Sequence, residues 1–357
     1  MKNILFSAYS LDFGGIEAAL ITILKYLAPK YNITLVLEKK QGVFLEKVPD
    51  NVNIITYEAS DSKNKILRKI SNFIRQFKFK QKYKNKFDFS ACFATYSYPC
   101  SFVARTASEN SALWVHNNYM NFYNDDVKQY KYFFNKLNID EYKKVIFVSD
   151  LDRKTFIAHF PNCSKKALTC NNLIDYESII EKSKEKITDL KKTGKITFIN
   201  IGRHDEKQKR LTRIIDATRR LNKEGYKFRV VLVGKGSATK QYKDFAKDLK
   251  NMFFLGAKKN PYPYLKLSDC FLLSSKFEGY PVVLVESQIL GKPIVTTDIS
   301  DSKKDIDGKY GIVVNNSSDG VYQGMKQFLD KGFKPQKFSP EKFNQEILDK
   351  LEEIIEK

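Results

Sequence analysis

Ser274-Ser-Lys-Phe-Glu278-Gly279-Tyr280-Pro281-Val282-Val-Leu-Val-Glu286-Ser-Gln-Ile-Leu-Gly291-Lys-Pro293-Ile-Val295 is the stretch on which the fold turns. An apolar run of strand length, Cys270–Ser274, ends as it begins, and a second, Pro293–Thr297, closes it. Between them Val282–Leu290 reads as a helix, and Pro281 suits its first turn. Strand, helix, strand at this spacing is a parallel crossover, because parallel neighbours need a connection that a helix supplies. In open parallel sheets ligands bind beyond the carboxyl ends of the strands. Glu278 falls in that loop, and Gly279 permits a tight turn that exposes backbone N–H groups at the helix N-terminus. Glu286 lies about five residues into the helix, roughly 7 Å along it. Two carboxylates can thus meet different parts of one extended ligand. On pattern alone the alternative is that Glu278 caps the helix and Glu286 is a surface residue.

The same alternation runs outward in both directions. Strand patterns lie at Asn3–Ala8, Ile33–Leu37, Asn53–Tyr57, Ser90–Thr95, Ala112–His116 and Val145–Ser149, then at Ile196–Gly202, Phe228–Gly234, Met252–Gly256 and Gly311–Val314. Helical patterns separate them, including Ile16–Leu27, Leu211–Glu224, Thr239–Leu249 and Gly320–Lys331. Two such series in 357 residues predict an α/β protein of two doubly wound, Rossmann-like domains. The boundary is expected in the Lys- and Glu-rich stretch Asp175–Gly194, which gives domains 1–180 and 181–339. Residues 340–357 form a last helix, expected to cross back to the first domain.

Composition narrows the class. Hydrophobic residues make up 42% and charged residues 29%, as in globular proteins, and no apolar run approaches the ~18 residues of a membrane span. The opening residues read as a first strand rather than a signal peptide. Five scattered cysteines without a CxxC spacing argue against disulfides and a zinc site, and fit a reducing cytoplasm.

A net charge of +21 points to an anionic partner: nucleic acid, a membrane surface or phosphorylated small molecules. Lysine-rich usage over a solvated surface is the plain alternative. Ser62–Phe87 departs from that background, with ten basic residues from Lys63 to Lys86 and no acidic one. Ile66, Leu67, Ile70, Phe73, Ile74 and Phe77 recur there at helical spacing, so its first half is a basic amphipathic helix. Such a helix can lie on an anionic lipid surface. The alternative is that its apolar stripe packs on the protein's own sheet, and part of the stripe is expected to do so.

Three further loops carry candidate chemistry. Asp12-Phe-Gly14-Gly15-Ile-Glu17 follows the first strand and opens a helix, where glycines let backbone N–H groups approach a phosphate. It lacks the GxGxxG spacing of a dinucleotide site. Gly202-Arg203-His204-Asp-Glu-Lys207-Gln-Lys209-Arg210 follows another strand, and Arg203 and Lys209 are the pair expected around a diphosphate, although on spacing alone an ordinary solvated loop of a lysine-rich protein is the better reading. His116 stands at a strand end in Trp114-Val-His116-Asn117-Asn118. Asp305-Ile-Asp307 has the Asp-x-Asp form of metal-dependent transferases but sits in a turn-forming stretch that ends in Gly308. Asp150-x-Asp152 reads as a helix start.

Glu278-x7-Glu286 within FEGYPVVLVESQILGKPIV closely resembles the signature of the retaining family-4 (group 1) glycosyltransferases. The match continues in order through GG-x-E, IGRHDEKQKRLTRIIDA, VVLVGKGS, FFLGAKKNPYPYLKLSDCFLLSS and GIVV, most strongly from Ile196 to Val314. The resemblance implies the GT-B fold, with two Rossmann-like domains facing across a cleft, the first binding acceptor and the second the nucleotide-sugar donor. It implies that the Gly15 N–H meets the donor diphosphate and that Arg203 with Lys209 neutralises its developing charge. The family's commonest spacing between those two basic residues is one shorter, which leaves Lys207 a rival. Glu278 and the N–H groups around Gly279, Tyr280, Pro281 and Val282 would orient the donor sugar and stabilise an oxocarbenium ion. Glu286 would accept from the ribose, main chain near Gly256–Lys258 would meet the base, and His116 would face the sugar.

The implied activity is metal-independent transfer with retention, without a cofactor, since the nucleotide-sugar is a substrate. A UDP-sugar is expected first and a GDP-sugar second. The acceptor is expected to be a lipid-linked glycan of bacterial surface polysaccharide synthesis at the inner face of the cell membrane. Two other readings are an inactive GT-B scaffold and a nucleic-acid-binding protein. The four intact site residues speak against the first, and the absence of any nucleic-acid-binding module against the second.

Overall fold

The computed structural model describes every residue except Phe13, which lies within the glycine-bearing loop after the first strand. The chain forms two compact units, residues 1–174 with 343–357 and residues 175–342.

The first unit is built on a parallel sheet of β1 (Asn3–Ala8), β2 (Asn32–Leu37), β3 (Asn53–Thr56), β4 (Phe89–Cys92), β5 (Ser111–Val115), β6 (Lys144–Phe147) and β7 (Ala167–Thr169). Their order is β3-β2-β1-β4-β5-β6-β7. The sequence pattern did not show β7, whose three residues are too short for a periodicity. Part of the C-terminal helix Pro340–Glu356 belongs to this unit. Its Asn344 donates to Ile174 O at 2.7 Å and accepts from Ile174 N at 3.0 Å, while Ile347, Leu351, Ile354 and Ile355 are buried.

The basic helix spans Lys65–Tyr83 and differs from expectation in the face it buries. Its start is fixed by Asn64, whose side chain accepts from the N–H groups of Ile66 and Leu67. Its contacts with its own unit include Asn72, which accepts from Ser60 N, Arg75, which donates to Glu58 O at 2.7 Å, Lys80, whose ammonium lies over the Phe102 ring, and Phe79 and Tyr83. Phe79 packs on Tyr57 and Phe102 with ring centroids 5.1 and 6.0 Å away. The stripe from Ile66 to Phe77 does not face the core even in part, and all six of its apolar residues are exposed.

The second unit repeats the plan with β8 (Ile196–Ile201), β9 (Phe228–Val233), β10 (Met252–Gly256), β11 (Cys270–Leu273), β12 (Ile294–Thr297) and β13 (Gly311–Val314), in the order β10-β9-β8-β11-β12-β13. Alternate residues enter opposite layers, as strand geometry requires. Phe198, Val230, Leu232 and Leu272 pack with the helices Thr212–Lys223 and Ser318–Lys331. Ile199, Val231, Phe271 and Leu273 pack on the other face with Leu284, Tyr264 and Leu265. Both faces are covered, which explains why these strands are apolar runs rather than alternating ones. The helix expected over Thr239–Leu249 ends at Phe245.

Candidate active site

β8 and β11 are neighbours, and the sheet grows from them in opposite directions. That is the switch point where the two following loops diverge and leave room for a ligand. The loops are Gly202–Arg210 and Ser274–Pro281, the two that carry the sequence's sharpest motifs.

Main-chain bonds knit them together. Lys276 N donates to Gln208 O at 2.7 Å, and the Ser274 hydroxyl donates to Lys209 O at 2.9 Å. Buried Arg213 braces the back, donating to Ser274 O at 3.1 Å and to Asn316 Oδ1 at 2.6 Å. Asn316 in turn donates to Lys276 O at 2.8 Å. The GKGS turn after β9 closes the side. Gly234 has φ +150°, and a Cβ there would stand 1.8 Å from Gly202 O, so backbone packs directly on backbone.

Glu278 is buried within this frame. Its Oε1 accepts from Lys209 Nζ and from the Ser275 hydroxyl, both at 2.6 Å, and its Oε2 accepts from Gln208 Nε2 at 3.0 Å. It does not cap the following helix, whose N-cap is Pro281. Three bonds occupy three of a carboxylate's about four acceptor positions. Lys209 uses one of its ammonium protons on Glu278, and an ammonium carries three. Arg203 donates to Gln208 Oε1 at 3.2 Å, so the Gln208 amide links Arg203 to Glu278. The side chain of Arg203 is 66% exposed against 18% for Lys209. Lys207 is exposed on the same loop.

Two residues around Glu278 hold left-handed backbone without being Gly, Asn or Asp: Arg210 at φ +51° and Ser300 at φ +48°. Such geometry costs on the order of 1–3 kcal/mol each and persists only where surroundings impose it. Ser300 shows what imposes it, since its hydroxyl lies 2.8 Å from both Glu278 O and Gly279 O. It holds the turn that presents the N-terminus of helix Val282–Ile289, which has no side-chain cap among the described residues.

Glu286 is on that helix, partly buried, and accepts from the Tyr262 hydroxyl at 3.1 Å. Burial pushes its carboxyl up to about 7, against the smaller pull of the Tyr262 hydroxyl. Lys258 turns its side chain to Asp189 at 2.6 Å. Tyr280 is partly buried, and burial raises its phenol. Gln208, Ser275, Ser300 and Tyr262 were not singled out from sequence. Only the placing of Ser275 three residues before Glu278 could have pointed to one of them.

In the first unit, helix Gly15–Leu27 starts after Gly14 in extended backbone, again without a side-chain cap among the described residues. A Cβ at Gly15 would meet nothing within 4 Å. His116 stands at the end of β5 against Phe93, ring centroids 4.3 Å apart. Both of its ring nitrogens are buried without a hydrogen-bond partner among the described residues, and burial pulls its pKa down to about 3. Asp307 Oδ1 accepts from Val313 N at 3.1 Å and so is part of a turn. Ser149 caps the helix Asp150–His159, in line with the helix start expected at Asp150.

Residues 181–345 match the family model of the glycosyl transferases group 1. An uncharacterised glycosyltransferase of Methanocaldococcus jannaschii is 28% identical over 207 residues, which cover 54% of this chain and 49% of that one. The N-acetylgalactosamine-N,N'-diacetylbacillosaminyl-diphospho-undecaprenol 4-alpha-N-acetylgalactosaminyltransferase of Campylobacter jejuni is 24% identical over 340 residues, 90% of this chain and 88% of that one. Among solved structures, Anabaena HepE in complex with UDP and glucose superposes with a TM-score of 0.75 at 18% identity, covering 99% of this chain and all of that one. The fold is that of the GT-B glycosyltransferases.

Proposed function

Because residues 181–345 match the family model of the group 1 glycosyltransferases, we propose that the chain moves a hexose or related sugar from a nucleotide-sugar to a glycan acceptor, with retention at the anomeric carbon. The observation that carries this reading is the cluster at the β8–β11 switch point, where Lys209 and Gln208 meet Glu278 beside Arg203. Breaking the sugar–phosphate bond builds negative charge on the leaving diphosphate and positive charge on the anomeric carbon. Lys209 and Arg203 answer the first, and the Glu278 carboxylate answers the second, as fixed charges that need no reorganisation during the reaction. The bond from the anomeric carbon to the phosphate oxygen breaks as the bond to the acceptor oxygen forms on the same face. The acceptor proton passes to the leaving phosphate, so the step needs neither a side-chain base nor a metal. Glu286 holds the ribose. Gly15 and His116 enter the proposal on the family resemblance, as diphosphate and sugar contacts.

UDP is the nucleotide we favour, because HepE was solved with UDP and with UDP-glucose, with GDP second. A lipid-linked acceptor is favoured by the diphospho-undecaprenol in the name of the Campylobacter relative, which spans nearly the whole chain, and surface polysaccharide synthesis enters by family analogy. With such an acceptor, we propose that the work takes place at the inner face of the cell membrane. Donor hydrolysis measured across a panel of UDP- and GDP-sugars, with and without EDTA, tests the reading. One UDP-sugar hydrolysed in EDTA is the expected result. No hydrolysis with any donor, or a strict requirement for Mg²⁺ or Mn²⁺, overturns it.

A further inference from the structure

We infer that the helix Lys65–Tyr83 is a preformed docking surface for an anionic lipid bilayer. The inference deepens the lipid-linked acceptor proposed above, but it rests on the helix's own geometry. At 100° per residue, Asn72, Arg75, Phe79 and Tyr83 share the inner face and make hydrogen bonds or ring contacts with the unit, while Lys80 on the flank reaches over the Phe102 ring at 5.8 Å. The same spacing turns Ile66, Ile70, Phe73, Ile74 and Phe77 about 150° away from that face. Exposure agrees, running from 47% at Ile74 to 69% at Ile66 and Phe73. Lys69 and Lys80 then fall along one side of the apolar stripe, and Lys78 and Lys82 along the other.

Charge selects the occupant. Ser62–Phe87 holds ten basic residues and no acidic one, so a second copy docking through the same face would bring two cationic rows together. A nucleic acid would satisfy the lysines but leave the exposed Ile and Phe side chains in water. A bilayer with acidic headgroups answers both, taking the stripe into the acyl boundary and the flanking lysines onto headgroups. The helix is already ordered by the Asn64 cap, the Asn72 and Arg75 bonds and the Phe79 cluster, so binding need not fold it. No helix among the described residues is long and apolar enough to cross a membrane.

The test is co-sedimentation of the whole chain with vesicles of phosphatidylglycerol and phosphatidylcholine, or of phosphatidylcholine alone. Wild type is expected on the anionic vesicles at low salt and released as salt rises. Lys69→Gln, Lys78→Gln, Lys80→Gln and Lys82→Gln together should weaken binding by at least ~50-fold, at about 1 kcal/mol per charge. Phe73→Ser with Phe77→Ser should weaken it by at least ~30-fold. These side chains are exposed, so the thermal midpoint should stay that of wild type. In Phe77→Trp the new indole should shift its emission to the blue on anionic vesicles, against the buried Trp114 as a constant background. Equal binding by the Phe double variant, no binding by wild type at low salt, or a dimer in solution that the Phe variant abolishes would each overturn the inference. Vesicle binding by a protein that hydrolyses no donor sinks the proposed reaction and leaves the docking surface standing.

Discussion

Lys209 Nζ lies 2.6 Å from Glu278 Oε1 across 69 positions of sequence, and the side chains are only 18% and 8% exposed. Each belongs to a different loop of one sheet's switch point, so the pair ties together the two segments that would receive a donor. Taking one member from a buried pair leaves an uncompensated charge, a loss on the order of 3–5 kcal/mol. The pair is therefore both a structural tie and a candidate catalytic element.

That double role separates the two basic residues by experiment. Arg203→Ala should slow turnover by at least ~100-fold, the scale of one electrostatic stabiliser, and leave thermal stability nearly unchanged because its side chain is exposed. Lys209→Ala should cause a similar loss of rate and also lower the melting temperature. Lys207→Ala should be mild in both. Initial rates and thermal melts of the three variants check this, and a severe Lys207 variant beside a mild Lys209 one would reverse the assignment.

Glu278→Gln keeps the volume and one carbonyl acceptor but removes the charge that Lys209 faces. It should reduce turnover more than donor affinity, whereas Glu286→Gln should weaken nucleotide binding by roughly 1–3 kcal/mol. Steady-state kinetics with titration of the nucleotide alone measure both. Equal losses in turnover and affinity for both variants would sink this division of labour.

Every strand but β7 was legible, with ends within two residues except at β4, which stops at Cys92 rather than Thr95, because sheets covered on both faces leave long apolar runs in the sequence. The site was legible as two separate motifs and not as a constellation. Nothing in local spacing says that Lys209 reaches Glu278, or that Tyr262 reaches Glu286 across 24 positions. Ser300 escaped notice because its role is to hold backbone, which leaves no periodic trace. The basic helix shows the opposite failure. Its apolar period was plain, and six such residues looked like a partly buried face. The residues that do face inward, Phe79 and Tyr83, form a second and shorter stripe with Asn72 and Arg75 between polar neighbours. Periodicity finds an amphipathic face but does not say what covers it.

His116 carries a strain that sequence could not show, with both ring nitrogens buried and unpartnered among the described residues. A buried polar group without a partner costs about 1–3 kcal/mol. His116→Phe keeps an aromatic ring against Phe93 and removes both nitrogens, so the variant should unfold at higher temperature. If the imidazole meets the sugar, the same variant should lose most of its turnover, a trade of activity for stability. Because burial holds the ring neutral down to about pH 3, its unfolded-state protonation lowers stability as pH falls below the ordinary histidine value. The variant should lack that acid-side loss. A more stable variant with wild-type turnover would make His116 a bystander.

Glu286 gives the opposite pH signature. Its folded carboxyl titrates near 7, while an unfolded glutamate titrates near 4.5. Between those values the folded chain holds a proton that the unfolded chain has released, so the Glu286 contribution to stability is fully present below the lower value and falls as pH rises through the window. The full effect is on the order of 3 kcal/mol. Glu286→Gln should flatten that slope, read as the difference between wild type and variant in urea unfolding at pH 5, 6, 7 and 8. Tyr262→Phe removes a hydroxyl that favours the ionised form, so it should move the window to higher pH. The carboxylate is also the form that accepts from a ribose, so UDP should bind wild type more tightly at pH 8 than at pH 6. Glu286→Gln should lose that part of the gain while the nucleotide's own ionisation contributes equally to both proteins. Identical pH dependence of UDP binding in wild type and Glu286→Gln would remove Glu286 from the nucleotide site and leave it a buried partner of Tyr262.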